Sequence, residues 1–189
     1  MPSRSGWEAK YRREEVAAAP APDPFLVDSR KHLPADGERR AADIACGGGR
    51  HALLMAAWGL RTTAIDYSAA ALRLCRQRAR RKSLELETRI MDLEAPDVDL
   101  GASRFDVVAV FNFLHRPLVP VLKRSVRPGG IVVYKTYTRK QLRFGAGPRN
   151  PRFLLDEGEL AELFSEFHCL QYRESCEHEA TAALVAQRP

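Results

Sequence analysis

Residues 39–68 read RRAADIACGGGRHALLMAAWGLRTTAIDYS: an apolar run holding one aspartate, three consecutive glycines, an alanine- and leucine-rich run, and a second apolar run ending in another aspartate. The runs at 40–45 and 61–66 are short enough for strands, and the run at 50–58 suits a helix. Strand, glycine turn, helix and strand make one βαβ unit. Gly47 and Gly49 let the chain turn sharply and let a ligand come close to the main chain. The helix that follows points its free N–H groups at the same place.

The alternation continues downstream. A helix opened by Ser68 is expected over 69–82, a strand over 86–91 and another in FDVVAVF, 105–111. A short helix over 117–125 is ended by RPGG, which starts the strand IVVYKTY. Residues 138–152 read as a loop, DEGELAELF as a helix, and 167–188 as two closing strands. Upstream, residues 5–18 suggest a helix with Trp7 and Tyr11 one turn apart. Asp23 before Pro24 signals a cap opening a second helix through about Leu33, and LPADGERR is a loop. Strand alternating with helix implies a parallel sheet with helices on both faces. The ligand of such a sheet sits beyond the carboxyl ends of its strands, where strand order reverses.

The bulk numbers bound the class. A chain of 189 residues, 45% hydrophobic, is long enough for one sizeable core, so a single domain over 1–189 is expected. No apolar run approaches the ~18 residues of a membrane span. The start MPSRSGWEAKYRREE lacks the apolar stretch of a signal peptide, so the expected compartment is the cytoplasm, with no membrane partner. Cys46, Cys75, Cys169 and Cys176 fit no ligand spacing and read as free, largely buried thiols. The net charge is +6, and RLCRQRARRK holds six cations at 73–82. Those positions spread around a helix, which reads as a solvated cylinder and not as a nucleic-acid stripe.

Two ligand classes compete for the glycine turn. Gly47, Gly49 and Ala52 satisfy the G-x-G-x-x-G/A dinucleotide pattern, with Asp66 at the distance that holds a ribose. Asp43 separates the two. A carboxylate at the end of the first strand would repel a diphosphate, whereas it complements a ligand with an ammonium and a sulfonium. S-adenosylmethionine is such a ligand, and Asp92, ending the third strand in RIMDL, is a third sign for it.

Residues 39–137 resemble class I S-adenosylmethionine-dependent methyltransferases, whose first motif reads acid-x-Gly-x-Gly-x-Gly. DIACGGG supplies Asp43 as the acid and Gly47 and Gly49 as the second and third glycines, with Ala45 in place of the first and Cys46 inside the loop. The resemblance implies a Rossmann-like, doubly wound, mostly parallel seven-stranded α/β sheet with an antiparallel C-terminal hairpin. It implies that Asp66 holds the ribose hydroxyls, that Tyr67 lies against the adenine, and that Asp92 and the Leu93 backbone read the adenine edge. FDVVAVFN resembles the fourth strand of that fold and LKRSVRPGGIVVYKTY the helix, turn and fifth strand. Within the class, the chain is most similar to the small bacterial tellurite-resistance-like and thiopurine-like enzymes. There, aromatic residues on an N-terminal helix close over the cofactor; Trp7 and Tyr11 would stand in that place, or simply pack an amphipathic helix on the domain. The expected division is a helical lid over 1–35, a cofactor-binding core over 39–137, a substrate loop over 138–155, and a helix with closing strands over 156–189.

Methyl transfer asks mainly for alignment and exclusion of water, and no metal. A base is needed only for an acceptor that arrives protonated; His115, just past the fourth strand, is the candidate, and Asn112 is a candidate cofactor or substrate contact. Cys46 is explained as a small packing residue. The loop TRKQLRFGAGPRNPRF carries five cations and no acid, which suits an anionic small acceptor or an RNA backbone. No extra RNA-binding domain flanks the core, so a small-molecule acceptor is the expected substrate. An RNA methyltransferase, a nicotinamide-dependent enzyme and a non-catalytic S-adenosylmethionine-binding module are the rivals. A monomer or a homodimer fits equally.

Overall fold

A computed structural model describes residues 4–14, 16, 19–34 and 38–189. The strands are β1 (Arg40–Ile44), β2 (Arg61–Asp66), β3 (Glu87–Ile90), β4 (Phe105–Phe111), β5 (Val126–Tyr137), β6 (His168–Cys176) and β7 (Ala180–Gln187). The helices are α1 (Arg4–Arg13), α2 (Pro24–Asp28), α3 (Arg50–Ala57), α4 (Ala69–Arg81), α5 (Val119–Ser125) and α6 (Glu159–Leu163). All seven strands join one sheet in the order β3-β2-β1-β4-β5-β7-β6. The first five run parallel, and β7 is antiparallel to both β5 and β6.

The sequences of the central strands explain their place. Strands buried on both faces need apolar residues at consecutive positions, and β4 is buried at all seven of its positions. Successive side chains go to opposite faces. Ala42, Ile44, Val108 and Val110 pack with Leu118, Leu122 and Leu160 on the α5–α6 side. Ala41, Val107 and Ala109 pack with Phe25, Leu26 and Met55 on the α2–α3 side. The edge strands β3 and β6 carry the polar residues and stay partly exposed.

The order reverses at β1. From there the chain goes to β2 on one side, then returns from β3 to β4 on the other. The segments that leave the carboxyl ends of β1 and β4 therefore diverge and leave a crevice between them, as expected for a doubly wound sheet.

The expected boundaries shift in several places. The second helix divides at Ser29, whose hydroxyl bonds the Phe25 carbonyl at 2.6 Å, and continues as a 3-10 turn over Ser29–His32. The helix expected over 117–125 begins as a 3-10 turn at Arg116–Leu118 before α5. Strand β5 starts at Val126, so RPGG lies inside it; the pairing with β4 shifts register between Phe105 and Val107. The loop over 138–152 holds a 3-10 turn at Arg139–Arg143 and leads into another at Pro151–Phe153. The first helix ends at Arg13, and residues 1–3, 15, 17, 18 and 35–37 lie outside the described residues. Cys46 and Cys75 are buried, but Cys169 and Cys176 are exposed on an edge strand, contrary to the expectation for all four. Among the described residues no helix is long and apolar enough to cross a membrane.

Candidate functional site

A cavity of about 510 Å³ opens at the carboxyl ends of β1, β2 and β4. Its floor is the turn Ala45–Gly48, with Asp66 and Tyr67 on one side and Phe111, Asn112, Phe113 and Leu114 on the other. Asp92 and Leu93 close the far end, and Trp7 and Tyr11 of α1 form the roof. Ten of the thirteen expected site residues thus come together here: the aromatic pair Trp7 and Tyr11, the turn residues Ala45, Cys46 and Gly47, then Asp66, Tyr67, Asp92, Leu93 and Asn112.

The turn is held from two sides. The Gly47 N–H donates to Asp66 Oδ2 at 2.8 Å, and Cys46 N–H donates to the Ile65 carbonyl at 3.0 Å. Ala45 has φ 54°, Gly47 54° and Gly49 82°, so the turn visits the left-handed region three times. Only glycine does so freely. Ala45 therefore occupies, at a steric cost, the backbone conformation that the missing first glycine would take.

The two glycines prove to have different duties. A Cβ on Gly47 would meet the Tyr11 hydroxyl, on the cavity side. A Cβ on Gly49 would run into Sγ and Cβ of Cys75 on α4, away from the cavity. Gly47 is a bare surface facing the cavity and Gly49 a close helix contact. Asp43, expected to face the ligand's charges, is 1% exposed and does not line the cavity. Its Oδ2 accepts the Ala52 N–H at 2.9 Å, tying β1 to the first turn of α3. Burial pushes the Asp43 carboxyl up to about 7.

Asp66 is placed to meet a diol. Its Oδ1 accepts the Ser68 N–H at 2.9 Å while Oδ2 accepts Gly47. The Tyr67 N–H bonds the same carboxylate, and since an ionised carboxylate offers about four acceptor positions, three backbone hydrogen bonds leave room for a ribose hydroxyl. Burial raises the Asp66 carboxyl above its ordinary range, and added donors would favour its charged form. With the Tyr67 ring beside it and Asp92 beyond, the donor set and volume fit an adenosine carrying an amino-acid tail.

Two residues of the site had not been expected. Arg78, within the run read as a solvated helix, is 2% exposed, a correction to that reading. It donates from Nη1 to the Gly48 carbonyl at 3.1 Å, from Nη2 to Glu14 at 3.1 Å and from Nε to the Val16 carbonyl at 3.3 Å. The signal was available: Ala71, Leu74, Cys75 and Arg78 share one helix face, and the first three are plainly core residues. His51, on the first turn of α3, lines the cavity with its ring 4.0 Å from that of Phe111. Burial, helped by Arg50, lowers its pKa to about 3.

His115 is half-buried at the start of the 3-10 turn Arg116–Leu118 and does not line the cavity. Of the basic loop, Arg139 pairs with Asp156 and Lys140 with Glu157 at 3.1 Å, while Arg149 donates to the Phe144 carbonyl at 3.2 Å. The three-dimensional neighbours supply the acids that the loop sequence lacks. From residues 138–155 it is Phe153 that reaches the cavity.

This constellation of crevice, glycine turn and acid pair defines a nucleoside-binding domain of the doubly wound class. The chain matches the family described as "Methyltransferase domain" over residues 41–130, just under half of its length. It is 38% identical over 106 residues to a ubiquinone biosynthesis O-methyltransferase of Alkalilimnicola ehrlichii, covering 53% of this chain and 42% of that protein. A probable S-adenosyl-L-methionine-dependent methyltransferase TehB of Haemophilus influenzae is 22% identical over 138 residues, covering 72% of this chain and 48% of that one. The chain therefore spans less than half the length of these relatives. Among solved structures, TehB from Haemophilus influenzae superposes with a TM-score of 0.76 at 18% identity, over 97% of this chain and 68% of the other. The [4+2]-cyclase SpnF gives 0.75 at 16% identity, over 97% and 93%. At these identities the likeness is one of fold.

Proposed function

We propose that the chain transfers the methyl group of S-adenosylmethionine to a small-molecule acceptor, at oxygen, by in-line displacement and without a metal. The observation that carries this reading is one continuous cavity over the glycine turn, with Asp66 and Tyr67 on one side and Phe111 and Asn112, at the end of β4, on the other. A cofactor held at the first would present its reactive end to an acceptor at the second.

S-adenosylmethionine supplies the electrophilic methyl group; the residues of the chain bind, align and keep water out. Asp66 would hold the ribose hydroxyls, Tyr67 and Leu93 the adenine faces, and Asp92 its polar edge. Trp7 and Tyr11 would shut the roof. Residues 1–35 then serve as a lid, 39–137 as the cofactor core, 138–155 as one wall of the acceptor site through Phe153, and 156–189 as the closing layer. Aromatic walls at Phe111, Phe113 and Phe153 suit a flat, compact acceptor, and the name O-methyltransferase on the relatives supports oxygen as the atom modified.

Isothermal calorimetry with S-adenosylhomocysteine, followed by a labelled-methyl screen against phenols and RNA at two salt concentrations, tests the reading. Micromolar cofactor binding with transfer to a phenol is expected. RNA methylation falling steeply with salt, and no metabolite turnover, would overturn the choice of acceptor.

A further inference from the structure

The cavity wall on the α3 side holds a histidine whose geometry fixes its proton. His51 Nε2 accepts the backbone N–H of Asp23 at 3.2 Å. A nitrogen that accepts a hydrogen bond carries no proton, so the neutral ring bears its hydrogen on Nδ1. Asp23 is itself tied down: it caps α2 by accepting the Phe25 N–H at 2.9 Å, and its other oxygen pairs with Lys135 at 2.9 Å. Lys135 reaches Glu179 at 3.0 Å. The ring is clamped on its face by Phe111 and on its Nε2 edge by this cluster. Nδ1 is the nitrogen left for the cavity that His51 lines.

Arg50, the preceding residue, lines the same wall, with Nη1 3.4 Å from the Ala21 carbonyl. A fixed neutral donor beside a guanidinium suits one kind of ligand group, a carboxylate, which pairs well with a charge-assisted fork plus one further N–H. Burial and the Arg50 and Lys135 cations hold the His51 ring neutral.

Resting on the methyltransferase reading, we infer that His51 Nδ1–H and Arg50 form a carboxylate subsite on the α3 wall of the cavity. The carboxylate belongs either to the amino-acid tail of the cofactor or to the acceptor. His51 is a binding and positioning residue and not a base.

Two substitutions separate the edges of the ring. His51→Gln places an acceptor near the Nε2 position and keeps the Asp23 contact, but offers no donor at the Nδ1 position. His51→Asn keeps a donor near the Nδ1 position and gives up Asp23. Calorimetry with S-adenosylhomocysteine and with 5′-methylthioadenosine, which lacks the amino-acid tail, reads the cofactor source. A cofactor carboxylate predicts about tenfold weaker S-adenosylhomocysteine binding in His51→Gln, unchanged methylthioadenosine binding, and a smaller loss in His51→Asn. An acceptor carboxylate predicts unchanged nucleoside binding, with about tenfold weaker binding of 3,4-dihydroxybenzoate, but not of catechol, to the S-adenosylhomocysteine complex. Equal loss for both nucleosides, or no change for any of the four ligands, would overturn the subsite. Nitrogen-15 NMR of histidine-labelled wild-type protein, with His51 assigned by its loss in His51→Gln, reads the tautomer without ligand. An Nε2–H signal, or titration near pH 6.5, would overturn it as well. Failure of the folded wild type to bind S-adenosylhomocysteine would instead sink the methyltransferase reading, and the tautomer would still decide for or against His51.

Discussion

Arg78 of α4 and Gly48 of the glycine turn are joined by a 3.1 Å hydrogen bond from guanidinium to carbonyl. The same guanidinium holds Glu14 and the Val16 carbonyl, so one buried side chain links the cofactor turn to the segment leaving the roof helix. Further along that roof, Glu8 accepts the Ser68 hydroxyl, and Ser68 caps α4 through Ala71 N–H at 3.0 Å. The lid and the turn are thus fastened to one helix.

Removing the guanidinium while keeping the stem isolates this link. Arg78→Met leaves the Gly48 carbonyl and Glu14 without their donor, at an expected cost of about 2–3 kcal/mol in denaturant unfolding. S-adenosylhomocysteine affinity should fall with it, because turn and roof lose their common anchor. An unchanged unfolding midpoint would show that Arg78 is merely accommodated.

The two glycines should respond differently to the same methyl group. Gly47→Ala presses on the end of the Tyr11 side chain, which has room to swing, and adds the left-handed backbone penalty of about 1 kcal/mol. It should fold and lose cofactor affinity. Gly49→Ala drives a carbon into Cys75 of α4, whose backbone has no such freedom, and should cost about 2–4 kcal/mol of stability. Thermal melts and calorimetry on both proteins check this; stability losses of the same size would remove the distinction.

The fold was legible because each element had a local cause. Glycines followed a strand, Ser68 preceded a helix that it does cap, and FDVVAVF had no polar face to show water. The Asp66, Asp92 and Asn112 positions followed from spacing and strand ends, which topology gathers into one crevice, whereas Tyr67 came with the family resemblance. What stayed hidden depends on partners far along the chain. Arg78 looked like its exposed neighbours until Glu14 and Gly48 were placed against it, 64 and 30 residues away. The cations Arg139 and Lys140 looked unbalanced until Asp156 and Glu157 folded back. Asp43 was expected to face the ligand's charges, but it is buried away from the cavity, and its direction is set by the Ala52 N–H, which no spacing rule reveals.

Buried Asp43 and His51 exchange roles in proton binding on folding. Asp43, facing Asp66, Arg50 and the Ala52 N–H, is raised from 3.8 to about 7. Its contribution to stability is complete below pH 3.8 and is lost as pH rises through 7. His51, facing Asp23, Lys135 and Arg50, is lowered from 6.5 to about 3. Its contribution is complete above pH 6.5 and is lost as pH falls through 3. Between pH 3.8 and 6.5 the folded state holds a proton on Asp43 that the unfolded state holds on His51, and the two slopes cancel. Each variant should uncover the other group: relative to wild type, the stability of Asp43→Asn should climb with pH by up to about 1.4 kcal/mol per unit, and that of His51→Gln should decline by as much. Urea unfolding from pH 4.5 to 6.5 gives both slopes, and parallel curves for all three proteins would refute the linkage.

The site offers no histidine that gains a proton near neutrality, which bears on how an acceptor is activated. His51 is held at about 3, burial raises the Cys46 thiol well above its ordinary value and the Tyr11 phenol likewise, and His115 stands outside the cavity. With these groups set aside, the expected nucleophile is the acceptor's own phenolate. The rising limb of kcat/KM against pH should therefore follow the acceptor and not the protein. Catechol and the more acidic 4-nitrocatechol, compared as acceptors, should give limbs separated by the difference between their own pKa values. His115→Gln should keep both limbs and lose little in rate. A limb common to both acceptors and abolished in His115→Gln would instead make that histidine the base, brought into the cavity by a movement of the segment after β4.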